Sequence, residues 1–158
     1  MSYEKKNKLH IIASCALIRN EEGKYLVVKR SKNESVGPGL YTIPGGKTEG
    51  NDTVEETLKK EVLEETGLVL MPGKILLVDK SFVRPDGQTA KVLSFLCQAK
   101  NTENVKLSED FTEYKWITFE ELRNLPHIGL EPEFLKAKEI FDSGIRVGKM
   151  FSKSIKIK

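Results

Sequence analysis

Apolar residues along this chain gather in short runs parted by glycine-bearing turns, and in two places the spacing becomes helical. Leu9–Arg19, dense in Ile, Ala and Leu, predicts a first strand, Glu21-Glu22-Gly23 a turn, and Tyr25–Arg30 a returning strand. Ser31–Leu40, with Gly37-Pro38-Gly39, predicts a loop ahead of a short strand at Tyr41–Ile43. Val54, Leu58 and Val62 then recur at a helical interval before a stop at Gly67, a suitable left-handed C-cap. Asp52 is the expected N-cap of that helix, with Glu55 reaching back to complete a capping box. Ile75–Arg84 and Ala90–Ala99 read as strands joined by Pro85-Asp86-Gly87, the clearest hairpin signal in the chain. Tyr114–Ile117 predicts a further strand, and Thr118 is expected to cap a short helix through Leu125 with Glu121 in the box position. Glu131–Asp142 predicts the last helix. Hairpins in sequence mixed with helices point to an α+β or mixed α/β sandwich.

Composition narrows this picture. The 158 residues, 39% hydrophobic and 31% charged, suit one soluble domain with a proper core. The net charge of +3 is concentrated at one end. Residues 144–158 carry Arg146, Lys149, Lys153, Lys156 and Lys158 and no acid, which leaves residues 1–143 at −2. Residues 1–143 therefore read as a single domain followed by a basic tail, and a nucleic-acid polymer is not an expected partner of the body. Cys15 and Cys97 lie in apolar runs and read as buried thiols, without the spacing of a metal site, in a reducing cytoplasmic setting. Lys5, Lys6 and Lys8 precede Ile12-Ala13-Ser14-Cys15, which resembles a lipoprotein cleavage box. The apolar core before that cysteine is only about four residues, against the roughly 7–15 of an export signal, so the strand reading is kept. No run approaches the roughly 20 apolar residues of a membrane span.

The helix after Asp52 raises a question of charge. At about 100° per residue, Glu61 and Glu65 share the stripe of Val54, Leu58 and Val62, and Glu64 sits at its edge. Carboxylates turned toward a core cost free energy unless something cationic meets them, and neighbours three and four apart repel. Glu55 and Glu56 are ordinary acids for the first turns, but Glu61, Glu64 and Glu65 stand where the helix dipole disfavours them. A hard, oxygen-seeking divalent cation would relieve both costs. The alternative is a solvated acidic face.

Gly46, Asp52, Lys60, Glu61, Val62, Glu64, Glu65, Gly67 and Leu68 together resemble the Nudix box at its full spacing. Two defining positions are substituted: Asp52 stands for the family's glutamate and Lys60 for its arginine. The box spans 23 of 158 residues, and looser features extend the likeness over roughly residues 9 to 142. The resemblance implies a mixed, partly parallel sheet between helices, an α/β/α sandwich with the box as loop–helix–loop. It also implies an Mg²⁺-dependent hydrolase of the MutT-related kind, with Mn²⁺ as the alternative metal, cleaving a pyrophosphate bond in a nucleotide or nucleoside-diphosphate derivative. Partners are then small nucleotides, with a homodimer the one protein–protein association retained. Rival readings are a catalytically weak binding module on the same fold and an isoprenoid-diphosphate isomerase, which normally uses a reactive cysteine.

Under that resemblance Glu61, Glu64 and Glu65 are the expected metal ligands. Lys60 is expected to hold the neighbouring glutamates, as a point charge without arginine's planar fork. Asp52 is as well explained as a helix cap as by a site role. Gly45 and Gly46 would let the backbone pass close to ligand, or simply make a tight turn, and Glu49 falls in the family's Gly-Gly-x-x-Glu pattern. Asp110, six residues before Trp116, is the candidate water-orienting acid, with Glu109 one register away and Glu64 the alternative base. Arg30, ending the second strand, is a candidate phosphate contact. Tyr41, Phe82 and Phe111 are considered for base stacking, with core packing favoured. His10 and His127 have no partner spacing and receive no chemistry.

Overall fold

The computed structural model describes residues 9–143, so the basic tail and the N-terminal lysines lie outside the described residues. Strands β1 (Ile11–Ile18), β4 (Gly45–Lys47), β6 (Ile75–Val83) and β7 (Thr89–Cys97) form a mixed sheet in the order β4-β1-β7-β6. β1 runs parallel to β7, while the other pairings are antiparallel. β2 (Tyr25–Arg30), β3 (Tyr41–Thr42) and β9 (Phe111–Ile117) make a second, antiparallel sheet, and β5 (Val69–Leu70) pairs with β8 (Ala99–Lys100).

Alternation along the central strands divides the interior in two. Ala16 and Ile18 of β1, with Leu26 and Val28 of β2, pack with Leu58 and Val62 of helix α1 (Val54–Thr66). Leu17, Tyr25 and Val27 face the other way, onto Phe134, Ala137 and Ile140 of helix α2 (Glu131–Asp142). Strands buried on both faces need apolar residues at successive positions, which is why β1 and β2 read as continuous runs. The sheet layer between two helices is the expected sandwich.

Several boundaries differ from the sequence reading. Thr53, not Asp52, caps α1: its hydroxyl accepts from Glu56 N–H at 3.0 Å, and Glu56 accepts from Thr53 N–H at 2.8 Å. The box is thus Thr53–Glu56, because threonine offers the same acceptor one residue nearer the first buried turn. The helix ends at left-handed Gly67 as expected. Thr118 and Glu121 exchange the anticipated reciprocal bonds, but Glu120–Asn124 is a 3₁₀ helix. β4, β5 and β8 went unread, since two or three residues are too few to show a period. β9 begins at Phe111, three residues before the expected start.

Candidate functional site

The box residues converge where β4, α1 and the loop before β9 meet. Gly45 and Gly46 lie in β4, opposite Cys15 and Ser14 of β1. A Cβ on Gly45 would fall 2.2 Å from the Ser14 carbonyl oxygen, and one on Gly46 would fall 2.5 Å from the Glu61 carboxyl. Both glycines are therefore required by close approach, the first by backbone and the second by a candidate ligand.

Glu61 and Glu65, one turn apart on α1, are half-buried and close enough that each shifts the acidity of the other. Gly45 N–H donates to Glu65 Oε1 at 3.1 Å. Burial pushes the Glu65 carboxyl up to about 8 against the pull of the Gly45 N–H, and the charges of Glu61 and Asp110 raise it further. Burial also raises Glu61, as do the charges of Glu64 and Glu49, while Lys60 opposes. Among the described residues, neither Glu61 nor Glu65 forms a salt bridge.

Asp110 is exposed, and its loop is tied to the end of α1. Ser108 N–H donates to the Glu65 carbonyl at 3.1 Å and Lys106 N–H to the Thr66 carbonyl at 2.8 Å, which caps two helix carbonyls. This brings Asp110 within electrostatic reach of Glu65. Glu109 is exposed alongside, and Glu64 and Glu49 are exposed at the edge of the acidic group. Among the described residues, no three His, Cys, Asp or Glu side chains already stand as a metal cage. The donors gathered here are nonetheless carboxylate and backbone oxygens, the hard set that suits Mg²⁺ or Mn²⁺, and two of the carboxylates are half-buried with no salt bridge among the described residues.

Other expected residues take different places. Lys60 reaches Asp52 at 3.8 Å and bonds no glutamate of the box, so the two substituted positions answer each other. Arg30 is engaged within its own loop, donating to Glu34 at 3.0 Å and to the Val36 carbonyl at 2.6 Å. Tyr41 and Phe111 are buried as favoured, whereas Phe82 is 50% exposed because it sits near the turn end of the β6–β7 hairpin at the sheet edge. His127 does have a partner: it lies 3.3 Å from Glu131, one turn on, and accepts from Leu130 N–H at 3.0 Å. Both thiols are pushed up to about 12 by burial.

The sequence reading missed Glu133, 2% exposed, which accepts from Ser94 Oγ at 2.8 Å and pairs with Lys80 at 3.0 Å. A signal existed, since Glu133 shares the stripe of Ala137 and Ile140, the same pattern that marked Glu61 and Glu65.

The NUDIX domain family model matches residues 8–137. A nucleoside triphosphatase, NudI, of Klebsiella pneumoniae is 34% identical over 119 residues, spanning 70% of this chain and 83% of its own. The structure of a MutT protein from Methanosarcina mazei superposes with a TM-score of 0.67 at 28% identity, covering 85% of this chain and 96% of that one. A MutT NUDIX hydrolase from Burkholderia pseudomallei shares the fold with a TM-score of 0.66 at 19% identity, covering 84% and 98%. With the box glutamates gathered at one end of the sandwich and the family model spanning nearly all of the described fold, the chain belongs to the Nudix family and is a Nudix-type pyrophosphohydrolase.

Proposed function

We propose that the protein is an Mg²⁺-dependent hydrolase of nucleotide pyrophosphate bonds, with nucleoside triphosphates the first substrates to consider and Mn²⁺ the alternative metal. The observation that carries this reading is the Glu61–Glu65 pair, two half-buried carboxyls one turn apart that form no salt bridge among the described residues, with only the more distant charge of Lys60 acting on Glu61. The triphosphate preference rests on the name of the NudI relative.

In this reading Glu61 and Glu65 hold the metal, with Glu64 as the third carboxylate from the helix edge. When bound, Mg²⁺ supplies charge neutralisation for the phosphate oxygens and the leaving group. The Gly45 N–H holds Glu65 in place, and the missing side chain at Gly46 leaves room for Glu61. Asp110 takes the proton of the attacking water at its carboxylate, with Glu64 the alternative base. Glu49 lines the acidic edge. Arg30 reaches substrate phosphate by releasing Glu34 and the Val36 carbonyl. Lys60 acts at a distance, through its charge on Glu61 and its pairing with Asp52.

A panel of nucleoside triphosphates and nucleoside-diphosphate conjugates, incubated with Mg²⁺ and resolved by product, tests the reading. Metal-dependent release of pyrophosphate or phosphate is expected. Tight nucleotide binding without turnover on any member would instead establish the binding-module alternative.

A further inference from the structure

Three residues placed around Glu61 by register and helix spacing carry hydroxyls that have no hydrogen-bond partner among the described residues. Ser14 Oγ, Thr48 Oγ1 and Thr57 Oγ1 are each shielded from solvent and unbonded, and Ser14 and Thr57 are 0% and 1% exposed as whole residues. Their placement follows from register and helix geometry. Ser14 lies directly opposite Gly46 across the β1–β4 pair, on the face that carries Ala16 and Ile18 toward α1. Thr48 follows two residues after Gly46, its N–H donating to the Ile12 carbonyl at 2.7 Å, so it continues the same side of that strand pair. Thr57 precedes Glu61 by one helical turn and shares its stripe. Gly46 fixes the centre of the group, since a Cβ there would meet the Glu61 carboxyl at 2.5 Å. A strand residue, a loop residue and a helix residue thus bury unpartnered hydroxyls on the side of the sheet that faces Glu61.

A hydroxyl buried without a partner is unfavourable, and internal water, which makes two to four polar contacts, is what commonly satisfies such groups. We infer that Ser14, Thr48 and Thr57 line a buried water site behind Glu61 and act through that water as positioning residues for its carboxylate. Such a water accepts from one hydroxyl, donates to another, and has a hydrogen left for the rear oxygen of Glu61. The remaining oxygen is then left to turn toward Glu65. The purpose of this arrangement rests on reading Glu61 as a metal ligand.

Thr57→Val, which keeps the shape and removes the hydroxyl, and Thr57→Ser, which restores it, test the inference together with a high-resolution crystal structure of the metal-free protein. The structure is expected to show one ordered water within hydrogen-bond distance of Ser14 Oγ and Thr57 Oγ1. Thr57→Val should lose that water and weaken Mg²⁺ binding, measured by calorimetry, by about 10- to 100-fold, the range for groups that support a metal ligand. Thr57→Ser should recover most of the affinity. Hydroxyls bonded directly to protein carbonyls, with no water, would overturn the site. So would an unchanged Mg²⁺ affinity in Thr57→Val when Glu61→Gln abolishes it. An Mg²⁺ affinity untouched by Glu61→Gln refutes the metal reading itself, and with it the positioning role, whatever the crystal shows of the water.

Discussion

The two faces of the central sheet each bury acid, and they treat it differently. On the α2 face, Glu133 is almost wholly enclosed and fully answered, by the Lys80 ammonium and the Ser94 hydroxyl. On the α1 face, Glu61 and Glu65 are less enclosed yet, among the described residues, form no salt bridge, with one backbone N–H on Glu65 and the distant charge of Lys60 acting on Glu61. An acid paired within the fold has its charge accounted for and holds an element in place. An acid pair left unanswered keeps its oxygens for something outside the chain. Burial alone would have ranked Glu133 first; the pattern of partners distinguishes a fastening from a site.

The sharpest way to break this contrast is to remove a carboxyl from the unanswered side. Glu65→Gln should lower Mg²⁺-dependent turnover by at least about 100-fold, beyond the usual cost of losing an outer partner of a metal, while metal-free stability holds or rises as repulsion is relaxed. Near-normal Mg²⁺-dependent activity in that variant would remove the metal assignment.

Asp110 extends the unanswered group onto the neighbouring loop. Asp110→Asn should reduce kcat by about 10²-fold or more with little change in KM, the range of a lost general base, while Glu109→Gln stays within a few-fold. A damaging Glu109→Gln would shift the assignment by one residue, and mild effects at both would move the base to Glu64.

The answered side should respond in stability and not in chemistry. Lys80→Met leaves Glu133 buried without its cation and should cost about 2–3 kcal/mol in urea melts, below the full cost of a broken buried pair because Lys80 keeps 36% side-chain exposure. Turnover of the folded enzyme should stay close to that of the parent. A selective loss of activity without loss of stability would erase the distinction between the faces.

Acidity sharpens the comparison further. Glu65, raised from its ordinary 4.5 to about 8, keeps a proton in the folded chain that the unfolded chain releases. Its contribution to metal-free stability is therefore complete below about 4.5 and is lost as pH climbs through about 8. Thermal midpoints recorded in a chelator should fall across that window, and Glu65→Gln should flatten the fall. The smallest effect belongs to Lys60→Arg. Its partner Asp52 is exposed, and such pairs contribute about 0.2–1 kcal/mol, so activity should hold or improve slightly. A loss beyond about tenfold, or 1.4 kcal/mol of activation free energy, would give Lys60 a direct role.

Much of this was legible beforehand, for identifiable reasons. The α1 stripe was readable because thirteen helical residues display several periods, and the glycine, acid and aliphatic spacing around it is long. The β6–β7 hairpin and α2 were readable for the same reason of length. Cap placement was not, because Asp52 and Thr53 are adjacent residues with equivalent acceptors and only packing selects between them. The pairing of Lys60 was not readable, because helical spacing places it beside Glu61 and Glu64, while its ammonium reaches back to Asp52 and acts on Glu61 only through its charge. Glu133 was passed over because its answering groups, Lys80 and Ser94, come from strands about 40 to 50 residues earlier, a distance that no local pattern spans.

The bonds from Lys106 and Ser108 to the Thr66 and Glu65 carbonyls carry a consequence for motion. Those carbonyls are the open end of α1, and the loop that closes them is the one that carries Asp110. The loop cannot lift away without exposing the last helical turn, and that turn cannot fray without releasing the loop. Acids drawn from two distant parts of the chain are thereby mounted on a single breathing unit. Any opening there is shared by helix end and loop alike, so the spacing between Glu65 and Asp110 is reset as one piece each time the unit closes.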